Sequence, residues 1–281
     1  MPIIGAHVST AGGISKAIEN AEKIGAKAIQ IFGSSPQQWL TRFPTPEEIK
    51  NFLTARKESG DPPVFLHAGY LVNLASFKKE NREKSIKNLA EHYQIAQSLK
   101  AEGLIFHLGS YTGTTSEIGM KNLISGIKKV LSLVKGPTKL LLENSSGGGS
   151  KLGSTLKELA TLMGELPPER TGICLDTAHA FEAGMIEYNS KESVKSFFDQ
   201  WDRLIGINAI KALHANDSKT IFDSKSDRHE NIGQGYIGKK GFTNLTGEKR
   251  IADKVWLLEV PGQEDEGPDR ANIDKLKSFF V

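Results

Sequence analysis

The chain has 281 residues, 38% of them apolar and 25% charged, with a formal net charge of +3; this composition suits one large domain (residues 1–281) with an adequate core, and its mild, mixed positive charge permits a nucleic-acid partner without pointing to one. A single cysteine, Cys174, excludes an internal disulfide and a structural thiolate zinc site, and fits a reducing, cytoplasmic setting. No run of about 18 apolar residues occurs, so no membrane span is expected, and the opening MPIIGAHVS lacks the basic and apolar regions of a secretory leader.

Short apolar runs alternate with helical patterns along the whole chain. The first run covers residues 3–8. Ile14, Ala17, Ile18, Ala21 and Ile24 then follow helical spacing, with Gly25 placed as a C-cap before a second run at 28–32. Thr45-Pro46-Glu47-Glu48 reads as a capping box with proline at the first helical position, and the helix it opens should stop near Gly60. A third run at 64–67 precedes an apolar stripe of Ile86, Leu89, Ala90, Tyr93, Ala96 and Leu99. A fourth run at 104–108 precedes the stripe Leu123, Ile124, Ile127, Val130, Leu131 and Val134, ending at Gly136. Further runs at 139–143, 172–176, 210–214 and 255–260 are separated by helices predicted to begin near Ser154 and Ser190, and a last helix is predicted near Asn272. Eight short, almost continuously apolar runs joined by helices describe parallel strands buried on both faces. The expected architecture is a single closed (β/α)₈ TIM barrel, with a doubly wound open sheet as the alternative. The stretch 217–241 is the longest polar segment and reads as a functional loop.

Active sites of such barrels lie at the C-terminal ends of the strands. The third run ends in His67, the fourth near His107, the fifth in Glu143 and the sixth in Asp176, with His179 following. The seventh ends in His214, the eighth carries Glu259, and the polar stretch adds Asp227 and His229. These are nine potential ligands, five imidazoles and four carboxylates, a donor set suited to zinc, manganese or iron. One catalytic zinc needs three protein ligands, so nine can serve two or three ions with bridging carboxylates. Taken singly, each has a plainer reading. A histidine at a strand end is commonly a hydrogen-bonded loop residue, and a carboxylate there is commonly a helix N-cap. Their convergence on consecutive strand ends is what favours a metal hydrolase. His92 falls mid-helix and reads as a solvated or packing residue; His7 reads either as an orienting residue or as structural. Cys174 lies in a buried strand and reads as core. No G-x-S-x-G elbow or Walker-type phosphate loop occurs. Gly147–Gly149 is too short for a linker and reads as a strand–helix loop where backbone must approach something closely.

The segments GAHVSTAGG, HAGYLVNLAS, HLGSY, LLENSSGGG, LDTAHA, HANDSK, DRHENIGQG and LEVPG together resemble the endonuclease IV family of apurinic/apyrimidinic endonucleases (deoxyribonuclease IV), from residue 5 to about residue 262. The resemblance implies a TIM barrel with three zinc ions. By position, His67, His107 and Glu143 would hold the first, with Glu143 bridging to a second shared by Asp176, His214 and Glu259, and His179, Asp227 and His229 would hold the third. It implies hydrolysis of the phosphodiester 5′ to an abasic site in double-stranded DNA, leaving a 3′-hydroxyl, together with removal of 3′-blocking groups by a monomeric enzyme. Glu143 would also orient or deprotonate the attacking water. Tyr70 and Leu71 occupy the family's inserting loop, and Arg228 matches a DNA-contacting arginine. Gln37 stands where well-known members carry an arginine two residues before the tryptophan, here Trp39; glutamine lacks that cation's attraction for phosphate. Two rival readings are a metal-dependent sugar isomerase or epimerase on the same barrel, which uses fewer ligands, and a non-catalytic DNA-binding scaffold, which has no use for nine.

Overall fold

A computed structural model describes residues 2–280. The strands expected from the apolar runs form as β1 (Ile3–His7), β2 (Ile29–Phe32), β3 (Val64–His67), β4 (Gly103–His107), β5 (Lys139–Glu143), β6 (Thr171–Asp176), β7 (Ile210–His214) and, last in the barrel, β10 (Val255–Leu258). All neighbours pair in parallel, and the sheet closes in the order β1-β10-β7-β6-β5-β4-β3-β2. The fold is therefore the closed barrel and not the open sheet. Between the strands lie α1 (Lys16–Ile24), α2 (Pro46–Glu58), α3 (Lys79–Ser98), α4 (Ser116–Leu133), α5 (Leu156–Glu165), α6 (Thr177–Glu182), α7 (Lys191–Leu204) and α8 (Gly238–Thr246), with α9 (Arg270–Lys277) after β10.

Local chemistry sets the helix ends. Thr45 and Glu48 form the reciprocal capping box at α2, and Ser190 caps α7 through the Ser193 amide. Gly25 ends α1 at φ 79°, a left-handed conformation that glycine adopts without a Cβ penalty. Helix α6 lacks the expected apolar stripe. Every residue of it is buried, so it has no amphipathic face to betray it, and it starts directly from β6 with Asp176 as its N-cap. The polar stretch 217–241 is more ordered than an open loop: β8 (Asp217–Ser218) and β9 (His229–Glu230) pair antiparallel inside it, and α8 begins before it ends.

The main core fills the space between the barrel and its helices. A separate cluster fills the barrel itself: Ala28, Phe65, Ile105, Leu141, Cys174, Ala212 and Leu257, one from each strand except β1 or from the residue just before it. On β1 the matching position is Gly5, where a Cβ would lie 2.3 Å from the Ala28 carbonyl oxygen. Small residues at Gly5, Ala28 and Ala212 leave room for Phe65, Leu141 and Leu257, the interlocked layering that makes a barrel interior a packed core.

Candidate metal centre

Side chains two residues apart on a strand share a face. Each member of the barrel-filling layer therefore has a partner pointing into the next layer toward the C-terminal mouth. A step of two gives His7 from Gly5, Gln30 from Ala28, His67 from Phe65, His107 from Ile105, Glu143 from Leu141, Asp176 from Cys174, His214 from Ala212 and Glu259 from Leu257. The layer below is apolar and the layer above carries nearly every strand-end ligand inferred from the sequence. Cys174 belongs to the lower layer, where complete burial pushes its thiol up to about 12, so it is core and not a nucleophile.

Glu143 is the hub. It is fully buried, with His67 Nε2 3.1 Å and His107 Nδ1 3.3 Å from Oε2, and His214 Nδ1 2.9 Å from Oε1. His214 Nδ1 also lies 3.3 Å from Glu259 Oε2 and 3.8 Å from Asp176 Oδ2. Asp176 Oδ2 lies 3.7 Å from His229 Nε2. The donors fall into three groups whose atoms lie within 4.8 Å of one another: His67, His107 and Glu143; Glu143, Asp176, His214 and Glu259; and Asp176, His179 and His229. Asp227 stands beside the third group with Oδ1 3.1 Å from His179 Nε2, while its Oδ2 takes a 2.9 Å bond from Lys151. All nine residues thus gather at one mouth. Asp176 lies between the second and third groups, a position its place in the sequence did not reveal.

Four of the five histidines have one imidazole nitrogen engaged by a group outside the ligand set or by the main chain. Nδ1 of His67 faces the Ala68 carbonyl at 2.8 Å, Nδ1 of His179 the Asn144 carbonyl at 3.0 Å, Nδ1 of His229 the Glu259 carbonyl at 3.3 Å, and Nε2 of His214 the Gln30 Oε1 at 2.8 Å. An imidazole N–H donating there turns the other nitrogen inward, toward the carboxylates, where its lone pair is free for a metal once its proton has left. For His229 that inward Nε2 is buried and has no hydrogen-bond partner among the described residues. An orphaned, buried imidazole nitrogen at the meeting point of carboxylate oxygens is a donor atom short of an electrophile, and the N/O donor set is one that divalent zinc accepts.

The charges agree. Burial opposes ionisation of Glu143, but the imidazoles of His107, His214 and His67 outweigh it and hold the carboxyl well below the usual range. Asp227 and Glu259 are held down in the same way against burial, the first by His179 and Lys151 and the second by His214, His7 and His67. Burial lowers His179, yet Asp176, Asp227 and Glu143 lift it to about 10. Without a cation, then, ionised carboxylates share the protons of imidazolium groups, and a divalent ion entering here must release such protons. The residues fit a metal centre.

Two contributors escaped sequence reasoning. Gln30 is fully buried; its Oε1 accepts from His214, and its Nε2 donates to Glu259 and lies 3.0 Å from His7 Nδ1. It orients two members of the ring at once. Its signal is a glutamine inside an apolar strand, two residues past Ala28. Lys151 follows Gly147–Gly149, so that glycine run delivers a cation to Asp227. His7, also 3.4 Å from Glu259, is thereby an orienting residue. His92 is fully buried in α3 with both ring nitrogens unpartnered among the described residues, and burial holds it at about 4, so it is a neutral packing residue.

A groove of about 1320 Å³ opens over the ring, bordered by Ser9, Gln38, Leu40, Arg42 and Tyr70. Tyr70 is 58% exposed and rests edge-on against Phe32. Its amide donates to the Pro36 carbonyl, tying the β3–α3 loop to the loop after β2. Leu71 and Arg228 are exposed, but neither borders the groove as their neighbours Tyr70, Asp227 and His229 do. Gln37 is exposed too, but Pro36 and Gln38 border the groove where Gln37 does not.

The family model described as Xylose isomerase-like TIM barrel matches residues 18–279. A protein of Chloroflexus aurantiacus named Probable endonuclease 4 is 39% identical over 281 residues, covering 99% of this chain and 98% of that protein. The crystal structure of endonuclease IV from Thermus thermophilus superimposes with a TM-score of 0.86 at 34% identity, covering 99% of this chain and 98% of that one. A D-tagatose 3-epimerase-like protein matches with a TM-score of 0.71 at 23% identity, covering 98% of this chain and 96% of that one, a likeness of fold alone.

Proposed function

The chain belongs to the endonuclease IV family, and from that premise we propose that it repairs DNA by hydrolysing the phosphodiester 5′ to abasic sites, leaving a 3′-hydroxyl, and by clearing blocked 3′ ends, with three zinc ions held by the nine strand-end and loop ligands. The observation that carries the reading is the inward turn of the imidazole nitrogens of His67, His179, His214 and His229 toward Glu143, Asp176 and Asp227. His67, His107 and Glu143 would hold one ion. Glu143, Asp176, His214 and Glu259 would hold a second, and His179, Asp227 and His229 the third, with Asp176 at its edge. When bound, zinc supplies a water made acidic enough to ionise near neutral pH and positive charge for the phosphate oxygens.

The chain's own residues do the rest. Glu143 lies between two donor groups with both oxygens engaged by imidazoles, where, as a ligand shared by two ions, it would orient the attacking water. Gln30 and the Ala68, Asn144 and Glu259 carbonyls keep the histidines from rotating, so the ligand geometry needs no reorganisation. At the rim, Tyr70 offers an aromatic face and Leu71 an apolar wedge toward the stacked bases. Arg228 offers a cation for the backbone phosphates. Extruding a nucleotide costs a few kcal/mol, least where no base is stacked, which favours the abasic residue.

A sugar isomerase on this barrel is the second reading. The groove of about 1320 Å³ exceeds the roughly 300–1,000 Å³ typical of small-ligand pockets and suits a polymer strand better. The deciding assay uses a duplex carrying one tetrahydrofuran abasic analogue. Enzyme stripped with EDTA should not incise it, zinc should restore incision on the 5′ side, and Glu143→Ala should stay folded and inactive. Isomerisation of sugars without incision, or incision unaffected by EDTA, would overturn the proposal.

A further inference from the structure

The polar segment that carries Asp227, Arg228 and His229 touches the core through Phe222, set edge-on to Phe181 at 5.4 Å, while Ile221 beside it is 59% exposed. Two buried carboxylates add to that hold. Asp217 accepts the amides of Gly233, Gly235, Ile237 and Gly238, which fixes the returning half. The β8–β9 pairing sets Ser218 against His229, and His229 Nδ1 is engaged by the Glu259 carbonyl. Within residues 219–228 the Lys219 amide donates to the Arg228 carbonyl at 2.9 Å, the Asp223 amide to the Phe181 carbonyl at 3.2 Å and Lys151 Nζ to Asp227 Oδ2 at 2.9 Å, and Glu182 adds the carboxylate contact that ties this half to the end of α6. It is completely buried at the last position of α6. Its Oε1 accepts from Ser218 Oγ at 2.7 Å, Thr220 Oγ1 at 3.3 Å and the Arg228 amide at 3.2 Å. Its main-chain carbonyl accepts the Lys225 amide at 2.9 Å.

We propose that Glu182 is a positioning residue that sets Asp227 against His179. The residues to be matched lie at the two ends of this contact. His179 belongs to α6, the helix that ends in Glu182, and Asp227 immediately precedes the Arg228 amide that Glu182 holds. One helical turn is stiff, at about 1.5 Å rise per residue, so a single carboxylate oxygen transmits the position of α6 to the segment. The 3.1 Å approach of Asp227 Oδ1 to His179 Nε2 is the outcome. Removing the carboxylate leaves the Arg228 amide without its acceptor, turns Ser218 Oγ and Thr220 Oγ1 to their remaining partners, the Thr220 carbonyl and Ser224 Oγ, and loosens the hold of α6 on residues 219–228. The ring members carried on strands keep their places.

The proposal rests on the metal-centre reading for its ion count but not for the geometry, so two readouts separate them. In metal-free protein, Glu182→Ala should speed hydrogen exchange at the Arg228 amide by about tenfold, as expected for the loss of one hydrogen bond. In zinc-loaded protein the same variant should fall from about three ions per chain to about two. Its kcat on the abasic duplex should fall more than its KM rises. Glu182→Gln keeps an oxygen acceptor and should restore both readouts, which a residue needed only for its charge would not do. If Glu182→Ala fails to fold, Ser218→Ala combined with Thr220→Val withdraws two of the three donors and should reproduce the loosened segment. Wild-type exchange at Arg228 in the variants would overturn the proposal. A wild-type protein that binds no zinc, with Arg228 still loosened in Glu182→Ala, would overturn the metal-centre reading and leave the positioning role standing.

Discussion

The strand-borne ring and the loop-borne rim meet at the same mouth but are built differently. Glu143 is placed by Leu141 two residues earlier: if the core side chain points into the barrel, the carboxylate must do so one layer higher. Tyr70, Gln37 and Arg228 have no such neighbour. Their loops are held by hydrogen bonds from other parts of the chain, such as Tyr70 N–H to the Pro36 carbonyl, Asn88 Nδ2 to the Trp39 carbonyl or the Arg228 amide to Glu182. The ring inherits the precision of the core, whereas the rim can change residue type without disturbing the fold. Gln37, in place of the arginine of well-known family members, is a change of that kind.

Three experiments would break or sharpen this contrast. The largest effect belongs to Gln30→Leu, which keeps the strand apolar while removing the partner of His214, Glu259 and His7; zinc affinity or incision should fall about 10–100-fold. Unchanged zinc titration and turnover would mean that the strands alone fix the ring. At the rim, Gln37→Arg should tighten binding to abasic duplex and steepen the salt dependence of log K by about one unit of charge, with kcat nearly unchanged. Equal affinities and equal salt slopes would show that this exposed loop does not touch the strand. The smallest effect on the site should come from His92→Leu, a histidine of neither region. His92 is held neutral down to about pH 4 by burial, whereas the unfolded chain takes up a proton below about 6.5. The unfolded state thus binds more protons in that window, and wild-type stability drains away as pH falls from 6.5 to 4, by up to about 3 kcal/mol. The leucine variant should lose that acid slope in urea melts at several pH values while its zinc content stays the same. An undiminished slope would place the acid sensitivity elsewhere.

The same contrast explains what the sequence revealed. Strands such as 64–67 and 139–143 were legible because burial on both faces demands an unbroken apolar run, and their ligands because His67 and Glu143 end those runs abruptly. Gln30 was harder to see, since glutamine is seldom a ligand and its neighbours Ile29 and Ile31 make it look like an interruption. Only the two-residue step from Ala28 aligns it with the ring. The pairing of Lys151 with Asp227 spans 76 residues and leaves no local pattern. Helix α6 escaped because a helix buried all round has no amphipathic period. The division of labour at Asp176, between two donor groups, depends on side-chain geometry that spacing cannot encode.

The closure of the barrel has a consequence for the history of each molecule. His7 sits on β1 and Glu259 just beyond β10, and those two strands pair directly. The ring therefore joins the first strand of the barrel to the last. While the chain is being synthesised, early ligands such as His67 and His107 emerge long before their partners, and domains fold as units during synthesis. No growing chain that stops short of β10 can complete the ring, so a chain that stops there would carry scattered histidines but no assembled set of donors.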